Sequence, residues 1–512
     1  MAAQIVARAI VVLIASVLCS VAASAQTETG QISGRVSDPN GAVVAGATLI
    51  AKSAGTGLER TATTNDEGAY VITNLQPGIY DVTVTSAGFA PLTQKAQVSV
   101  GGRLTLDLSL SLTAAREEVT VVAGEAGVEV NTQTQELADV VSSNQLRELP
   151  TITRNPYALV AISGNVSPDS GSARGTGFAI NGQRSASTNI LLDGGENVDN
   201  FTATVGQSIP LDAVGEFRII TSNFSAEYGR ASGGIVNVST RPGTNEFHGS
   251  LYEFNRVSRL AASDFDSNAR NLPRDVFTRN QFGYAVGGPI KRNKLFFFNS
   301  TEWTRVRSIA NVINYVPTPE LIAASHPRTQ AIFASHAISG TPTGSFLTVA
   351  DVVAARGLGG GAFASLPANL PALREVRYTL PSDVGAGAPQ NTYQTTTRID
   401  WNLSDKTQVY GRYAIEKQAF FEGSNAFSPY QGFNTSVTAF NQNALLNVTT
   451  SLTPTFVSQT KLVYNRLNND QPLGDQPVQP TYYLRTNVVA EVLGTNIALP
   501  GYLPFTFGAA IP

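Results

Sequence analysis

Three stretches in the second half of the chain alternate apolar and polar side chains with a period of two, and this alternation restricts the fold more than any other feature. Residues 397–404 place Thr397, Ile399, Trp401 and Leu403 on one face and Arg398, Asp400, Asn402 and Ser404 on the other. Residues 408–416 set Val409, Gly411, Tyr413 and Ile415 against Gln408, Tyr410, Arg412 and Glu416. Residues 440–452 set Phe440, Ala444, Leu446, Val448 and Leu452 against Asn441, Asn443, Asn447 and Ser451. Successive side chains of a strand point to opposite faces, so each stretch reads as a two-sided strand. Two architectures use such strands: a soluble sandwich, which hides the apolar face in a core, and a membrane barrel, which turns it to lipid over about ten residues per strand.

The connections bear on that choice, because outer-membrane barrels alternate short turns on one side with longer loops on the other. Strands are expected at 246–256, 281–290, 294–304, 392–403, 407–418, 439–452 and 456–467. Short joins fall at Lys291-Arg292-Asn293, Ser404-Asp405-Lys406 and Thr453-Pro454-Thr455, and long ones at 257–280, 305–391 and 419–438. Long and short alternate throughout. Phe296, Phe297, Phe298 and Trp303 flank a short turn and are expected to form part of an aromatic girdle. No stretch holds about 18 consecutive apolar residues, so no membrane-crossing helix is expected, and a chain that enters a membrane must do so as a barrel. Only 14% of residues are charged and 45 are glycine, a mixture that suits strands and turns.

The first 25 residues read as an export signal, with Arg8 as the positive end, Ala9 to Leu18 as the apolar run and Ala23-Ser24-Ala25 as the cleavage site. Cys19, the only cysteine, lies inside it, so the mature chain is expected to be free of cysteine. From Gln31 to Leu112, short Val/Ile/Leu/Thr runs alternate with the turn signals Asp38-Pro39-Asn40-Gly41, Asn65-Asp66-Glu67-Gly68, Gln76-Pro77-Gly78 and Ala87-Gly88. That spacing predicts a β-sandwich whose core takes Tyr80, Val82 and Val84 from one strand and Leu104, Leu106, Leu108 and Leu110 from another. Through Gly34, Val36, Asp38, Gly41, Gly46, Ala47, Thr63, Asp66, Gly68, Tyr70, Leu75, Gly78, Tyr80, Gly88 and Phe89 this segment resembles the carboxypeptidase regulatory-like family, a transthyretin-like sandwich without catalytic function.

Next come an extended β-branched run in "REEVTVVAGEAGVEV", a helix-like spacing of Val140, Val141, Leu146 and Leu149 stopping at Pro150, and strand segments with Asn-Gly and Asp-Gly-Gly turns. Taken alone, Val119 to Val122 are equally a further sandwich strand or an exposed strand that a partner sheet can capture by edge pairing. Asn181-Gly182-Gln183-Arg184, Leu192-Asp193-Gly194, Ala226-Glu227-Tyr228-Gly229-Arg230, Gly233-Gly234, Val236-Asn237-Val238 and Thr240 resemble the plug of the TonB-dependent outer-membrane receptors. The continuation through Gly243-Thr244-Asn245 and Phe247-His248-Gly249 is similar to the Oar-like branch. The resemblance implies a TonB box at Glu118, Val119, Thr120, Val121, Val122 and Ala123. The stretch from 225 to 256 then reads as a hinge, with Arg241-Pro242-Gly243 turning the chain from plug to wall. Asp193, Glu196 and Asp199 have the chemistry of a cation site, but the preferred reading is an Asp-Gly turn with two solvated acids.

The expected fold is mostly β: a signal peptide at 1–25, a transthyretin-like β-sandwich at 26–114, the TonB box and an α+β plug at 115–244, and a partial antiparallel transmembrane β-barrel at 245–512. Seven strands in the 268 residues from 245 onward fall well short of the about 22 strands of a plugged transporter, so the chain is expected to be the N-terminal part of a longer receptor. With 35 Lys+Arg scattered against 38 Asp+Glu, no phosphate-binding surface is expected, and nucleic acid is an unsuitable partner. His248, His326 and His336 show no zinc-ligand spacing, and Gly357 to Gly361 lack the Lys-Ser/Thr of a phosphate loop. No catalytic residue, metal or cofactor is expected. By resemblance the partners are TonB with its inner-membrane energising complex, outer-membrane lipid and an extracellular ligand of unknown class. The implied function is uptake at the cell outer membrane by an energised plug rearrangement. The alternatives are a non-transporting surface adhesion or carbohydrate/peptide-binding protein and a passive porin-like channel.

Overall fold

The computed structural model describes residues 29–112, 135–151, 153–169, 175–225, 228–263, 276–357, 361–424, 427–453, 456–472, 491–493 and 495–500, together with 265, 268 and 274. The expected export signal and the 118–123 strand lie outside the described residues.

The first unit is a sandwich of two four-stranded sheets. One runs Ala69–Leu75, Gly30–Ser37 and Arg103–Thr105, with Leu108–Ser109 also pairing to Gly30–Ser37; the other runs Glu59–Thr63, Thr48–Ser53, Gly78–Thr85 and Leu92–Val98. Tyr80, Val82 and Val84 pack with Ile32, Val36 and Leu49 in the core between them, as the alternation requires. The strand expected to carry four leucines is interrupted at Leu106–Asp107. The reason is local: the Tyr70 hydroxyl donates to Leu106 O at 2.6 Å, and Asp107 Oδ1 accepts the Arg35 amide at 2.8 Å, taking the place of a ladder bond. A Cβ on Gly34 would lie 2.0 Å from Leu106 O, so only glycine permits this approach.

The second unit is built on a five-stranded sheet in the order Gly195–Glu196, Thr188–Leu192, Gly234–Thr240, Val214–Ser222 and Leu137–Ser142. The helix-like spacing at 140–149 resolves differently from expectation. Val140 and Val141 belong to the strand Leu137–Ser142, paired antiparallel with Val214–Ser222, and only Ser143–Glu148 is helical. The β-branched valines find a sheet edge, and Ser142 starts the helix through a capping box with Gln145. The turns were legible: Asn181 and Gly182 have φ of 54° and 69°, and Asp193 and Gly194 have 51° and 64°.

The third unit is one large antiparallel sheet, here called the wall. Its main path is His248–Val257, Val276–Lys291, Leu295–Pro317, Gln390–Asn402, Thr407–Phe420, Thr438–Thr453 and Phe456–Arg466, each paired with the next. All seven expected strands are present, several of them longer than anticipated. Among the described residues the first and last strands do not pair, so the sheet is open. Arg241-Pro242-Gly243 leads from the second unit into it, and a Cβ on Gly243 would sit 2.4 Å from Phe297 O.

Two expectations need correction. The segment 305–391 is not a plain loop: Leu295–Pro317 runs on beyond Ile309 to pair with Pro371–Pro381, which also pairs with Thr341–Thr348. Helices at Pro319–Ala323, Pro327–Ala334 and Val349–Arg356 start on the N-caps Thr318, His326 and Thr348, and an apolar cluster of Tyr315, Val349, Val352, Ala372 and Leu373 holds this cap together. Gly357, with φ of 62°, is the left-handed C-cap that ends the last helix. The girdle also divides by pleat: Phe296 and Phe298 face inward and are buried, whereas Phe297 lies against Phe247. Trp303 joins a separate group with Phe282, Tyr284 and Tyr393.

Candidate functional site between the central sheet and the wall

The wall has inverted polarity. Ile399, Trp401, Leu403, Tyr413, Leu446 and Leu462 are exposed, while Arg398, Asp400, Gln408, Arg412, Glu416 and Asn443 are buried on the opposite face. What covers that polar face is the central sheet, whose core includes the wall residues Ala285, Phe298 and Ala414. Charged groups removed from water need partners, so the interface is organised by where those charges find them.

Arg398 and Arg412 stand directly opposite each other in the register of Gln390–Asn402 with Thr407–Phe420. Two guanidiniums so placed repel, and a buried pair requires carboxylates. Asp193 provides one: it is fully buried at the end of Thr188–Leu192, with Oδ2 2.7 Å from Arg412 Nε and Oδ1 3.7 Å from Arg398 Nη1. Asp400 provides the other, at 2.8 Å from Arg398 Nη2. The Thr240 amide donates to Asp193 Oδ1 at 2.7 Å, and Arg398 Nη1 returns to Thr240 O at 2.9 Å, with its guanidinium 4.0 Å from the Tyr410 ring centroid. Lys461 Nζ donates to Asp193 O at 3.3 Å. One turn of the central sheet is therefore gripped by three basic side chains of the wall.

A second cluster lies toward the long-loop end, around a cleft of about 260 Å³ between the central unit and the wall. Arg154 enters it with a left-handed φ of 53°, held by Asp212 at 2.5 Å and Glu302 at 3.7 Å and stacked 4.1 Å over Phe254. Backbone strain of this kind persists only where the surroundings enforce it. Gln281 donates to Glu302 at 2.7 Å, and Arg279 Nη2 donates to Thr153 O at 2.9 Å. Glu416 accepts from Gln394 at 2.8 Å, Gln418 at 2.8 Å, Asn441 at 3.3 Å and the Ser208 amide at 3.2 Å. Nearby in the central unit, burial pushes the Tyr157 phenol well above its ordinary pKa, partly offset by its hydrogen bond from Asn197. The cleft thus offers amides, carboxylates and guanidiniums in a fixed frame, suited to holding a polar solute rather than to covalent chemistry.

The residues singled out from the sequence fall mostly into the frame of the central sheet. Asn181 Nδ2 donates to Thr221 O, and the Gly194 amide to Asn237 Oδ1 at 3.3 Å. Gly229 O accepts from Asn189 at 3.2 Å, and Tyr228 packs with Leu191, Ile220 and Ile235. A Cβ would meet Gln183 Cβ at 3.3 Å on Gly233, and Ile180 Cδ1 at 2.7 Å on Gly234. Glu227 and the Glu118 to Ala123 strand lie outside the described residues. Asp193, Glu196 and Asp199 are not brought together as a cation site: Glu196 pairs with Arg230, and Asp199 accepts the Phe201 amide and the Thr202 hydroxyl. Asp193 is a turn residue as expected, but it is also a buried counter-ion, a role missed in the sequence. The signal was available, since a hairpin turning at Ser404-Asp405-Lys406 places Arg398 opposite Arg412. Arg154, Glu302 and Glu416 were also missed, and nothing local marks Arg154.

Family models match three parts of the chain: a carboxypeptidase regulatory-like domain over residues 31–111, a TonB-dependent receptor plug domain over 130–235 and an outer membrane beta barrel domain over 239–509. The TonB-dependent transporter Oar of Myxococcus xanthus is 27% identical over 305 residues, covering 56% of this chain and 28% of that protein. The siderophore receptor PirA from Acinetobacter baumannii aligns over 65% of this chain and 40% of its own, at 16% identity and a TM-score of 0.41. The outer membrane transporter YddB from Escherichia coli aligns over 64% and 39%, at 11% identity and a TM-score of 0.42. The chain therefore spans well under half the length of these relatives.

Proposed function

The chain belongs to the TonB-dependent outer-membrane receptors, with an outer membrane beta barrel domain over more than half its length, and from that premise we propose that it takes up a ligand by energised rearrangement of the central sheet, its plug. The observation that carries this reading is the Asp193–Arg398–Arg412 contact. The plug is fastened to the wall largely by a few charged and hydrogen-bonded groups, and such contacts re-form with water as a plug moves. A ligand enters from the long-loop side and meets the cleft at Arg154, Glu302 and Glu416. TonB captures Glu118 to Ala123 by strand addition and pulls on the plug through the chain at Glu136. The inner-membrane proton gradient supplies the work through TonB, so the chain itself needs no catalytic group. An export signal at 1–25 delivers the protein, and outer-membrane lipid covers the exposed face of Ile399, Trp401 and Leu446.

The test uses a cysteine at Val121 and a second one in the strand-pairing segment of TonB. A disulfide between the two is expected in energised cells, and deletion of residues 118–123 should abolish both TonB capture and TonB-dependent growth on the solute taken up. Normal growth of the deletion strain would overturn the mechanism and favour the passive porin-like alternative.

A further inference from the structure

The front sandwich is not a free appendage. It contacts the short-turn end of the wall and the plug at once, through separate groups. The Asn245 amide, at the plug-to-wall junction, donates to Gly55 O at 2.9 Å. Gly57 sits against the first short turn, where a Cβ would lie 2.6 Å from Asn293 Oδ1. Arg60 Nη1 donates to Asp405 O in the second short turn, and Asn74 Nδ2 to Ser451 Oγ at 3.2 Å ahead of the third. On the plug side, the Val100 amide donates to Glu216 Oε1 at 2.7 Å, and Arg218 Nη1 donates to Val100 O at 2.6 Å.

Arg218 has a second bond, from Nη2 to Glu136 Oε2 at 2.9 Å. Glu136 is the second described residue after the 113–134 segment, which leaves the sandwich at Leu112 and contains the strand proposed for TonB capture. One buried guanidinium therefore ties the start of the plug to the sandwich. We infer that the sandwich is a clamp over the inner mouth of the wall, holding the plug strand Val214–Ser222 through Val100, and that tension arriving at Glu136 releases it by breaking the Arg218 bridge. The pulling step rests on the proposed function; the clamp rests on the contacts alone, and its test needs neither ligand nor TonB.

A cysteine pair supplies that test. A Cβ on Gly55 would be 3.9 Å from Thr244 Cβ, inside the about 3.5–4.5 Å that a disulfide spans. The only native cysteine is Cys19, in the expected export signal, so the background is clean. In the full chain bearing Gly55→Cys and Thr244→Cys, air oxidation should cross-link the pair nearly completely, and a reductant should reverse it. Amide hydrogen exchange across residues 214–222 should be about tenfold slower in the oxidised form than in the reduced form, because plug opening requires undocking. Gly57→Asn is the opposing variant. Asn tolerates the φ of 69° but pushes on Asn293, which Asn245 pins by two bonds of 2.7 Å, so cross-linking should fall and exchange should quicken. Failure to cross-link while both thiols react with maleimide would overturn the docking. A complete cross-link with identical exchange in the two forms would overturn the clamp, leaving the transport reading untouched.

Discussion

The sandwich and the wall are written with the same alternation and solve opposite problems. In Gly78–Thr85, Tyr80, Val82 and Val84 turn toward a partner sheet and are buried. In Gln390–Asn402, Ile399 and Trp401 turn outward and stay exposed, and the buried face belongs to Arg398 and Asp400. A sandwich strand gains stability from the apolar area that a second sheet covers. A wall strand leaves its apolar side uncovered by protein, as a strand facing lipid would, and its polar side is satisfied by the central sheet packed against it. Period two thus specifies a two-sided strand, and the covering layer decides which side is the inside.

The sharpest way to break the comparison is to remove a polar partner from the buried face. Asp193→Ala leaves Arg398 and Arg412 opposed without the plug's carboxylate and should destabilise plug docking by about 3–5 kcal/mol, read as a lowered denaturant midpoint for plug amide protection in detergent. The double variant Asp193→Asn/Arg412→Met should recover most of that loss, since Asn keeps the left-handed turn and the acceptor for the Thr240 amide while Met removes one of the two opposed buried charges. No recovery would mean that the contact is geometric rather than electrostatic.

A second pair contrasts the two apolar faces. Leu49→Ala opens a cavity in the sandwich core and should cost about 2–4 kcal/mol in the urea unfolding of that unit, whatever the solvent around the wall. Leu446→Arg should cost about 2–3 kcal/mol when the wall is refolded into a lipid bilayer, and much less in a polar detergent. Equal costs in both media would show that Leu446 faces protein.

The smallest effect lies in the cap over the long-loop end. Hydrogen bonds from the Thr348 side chain and backbone hold the Asp351 carboxyl below its ordinary pKa. A lowered carboxylate pKa means that the stabilisation is present above the unfolded value, about 3.9, and is lost as pH falls through the folded one. Acidification below pH ~4 should therefore fray Val349–Arg356 slightly, seen as faster amide exchange confined to that helix, and Asp351→Ala should remove the pH dependence.

Where the sequence misled, a distant partner had intervened. Val140 and Val141 read as helix until Val214–Ser222, more than seventy residues away, offers them a sheet edge. Phe296 and Phe298 read as girdle until the pleat turns them into the lumen, where Phe298 joins the plug core. The region 305–391 read as loop because its stabilising cluster joins Tyr315 to Val349, Val352, Ala372 and Leu373, a pattern with no short period.

The sequence by itself determined the strands of the wall, the order of short and long connections, and the turns at Asn181-Gly182 and Asp193-Gly194, because period two and left-handed turn residues are local properties of the chain, while the family was legible only through the resemblance of its plug motifs. Only the tertiary structure decided that Asp193 answers Arg398 and Arg412, that Arg154 is held across a cleft by Asp212 and Glu302, and that Arg218 links the sandwich to the start of the plug. A buried charge is tolerable only beside its partner, and those partners lie tens to hundreds of residues away, where no local pattern can register them.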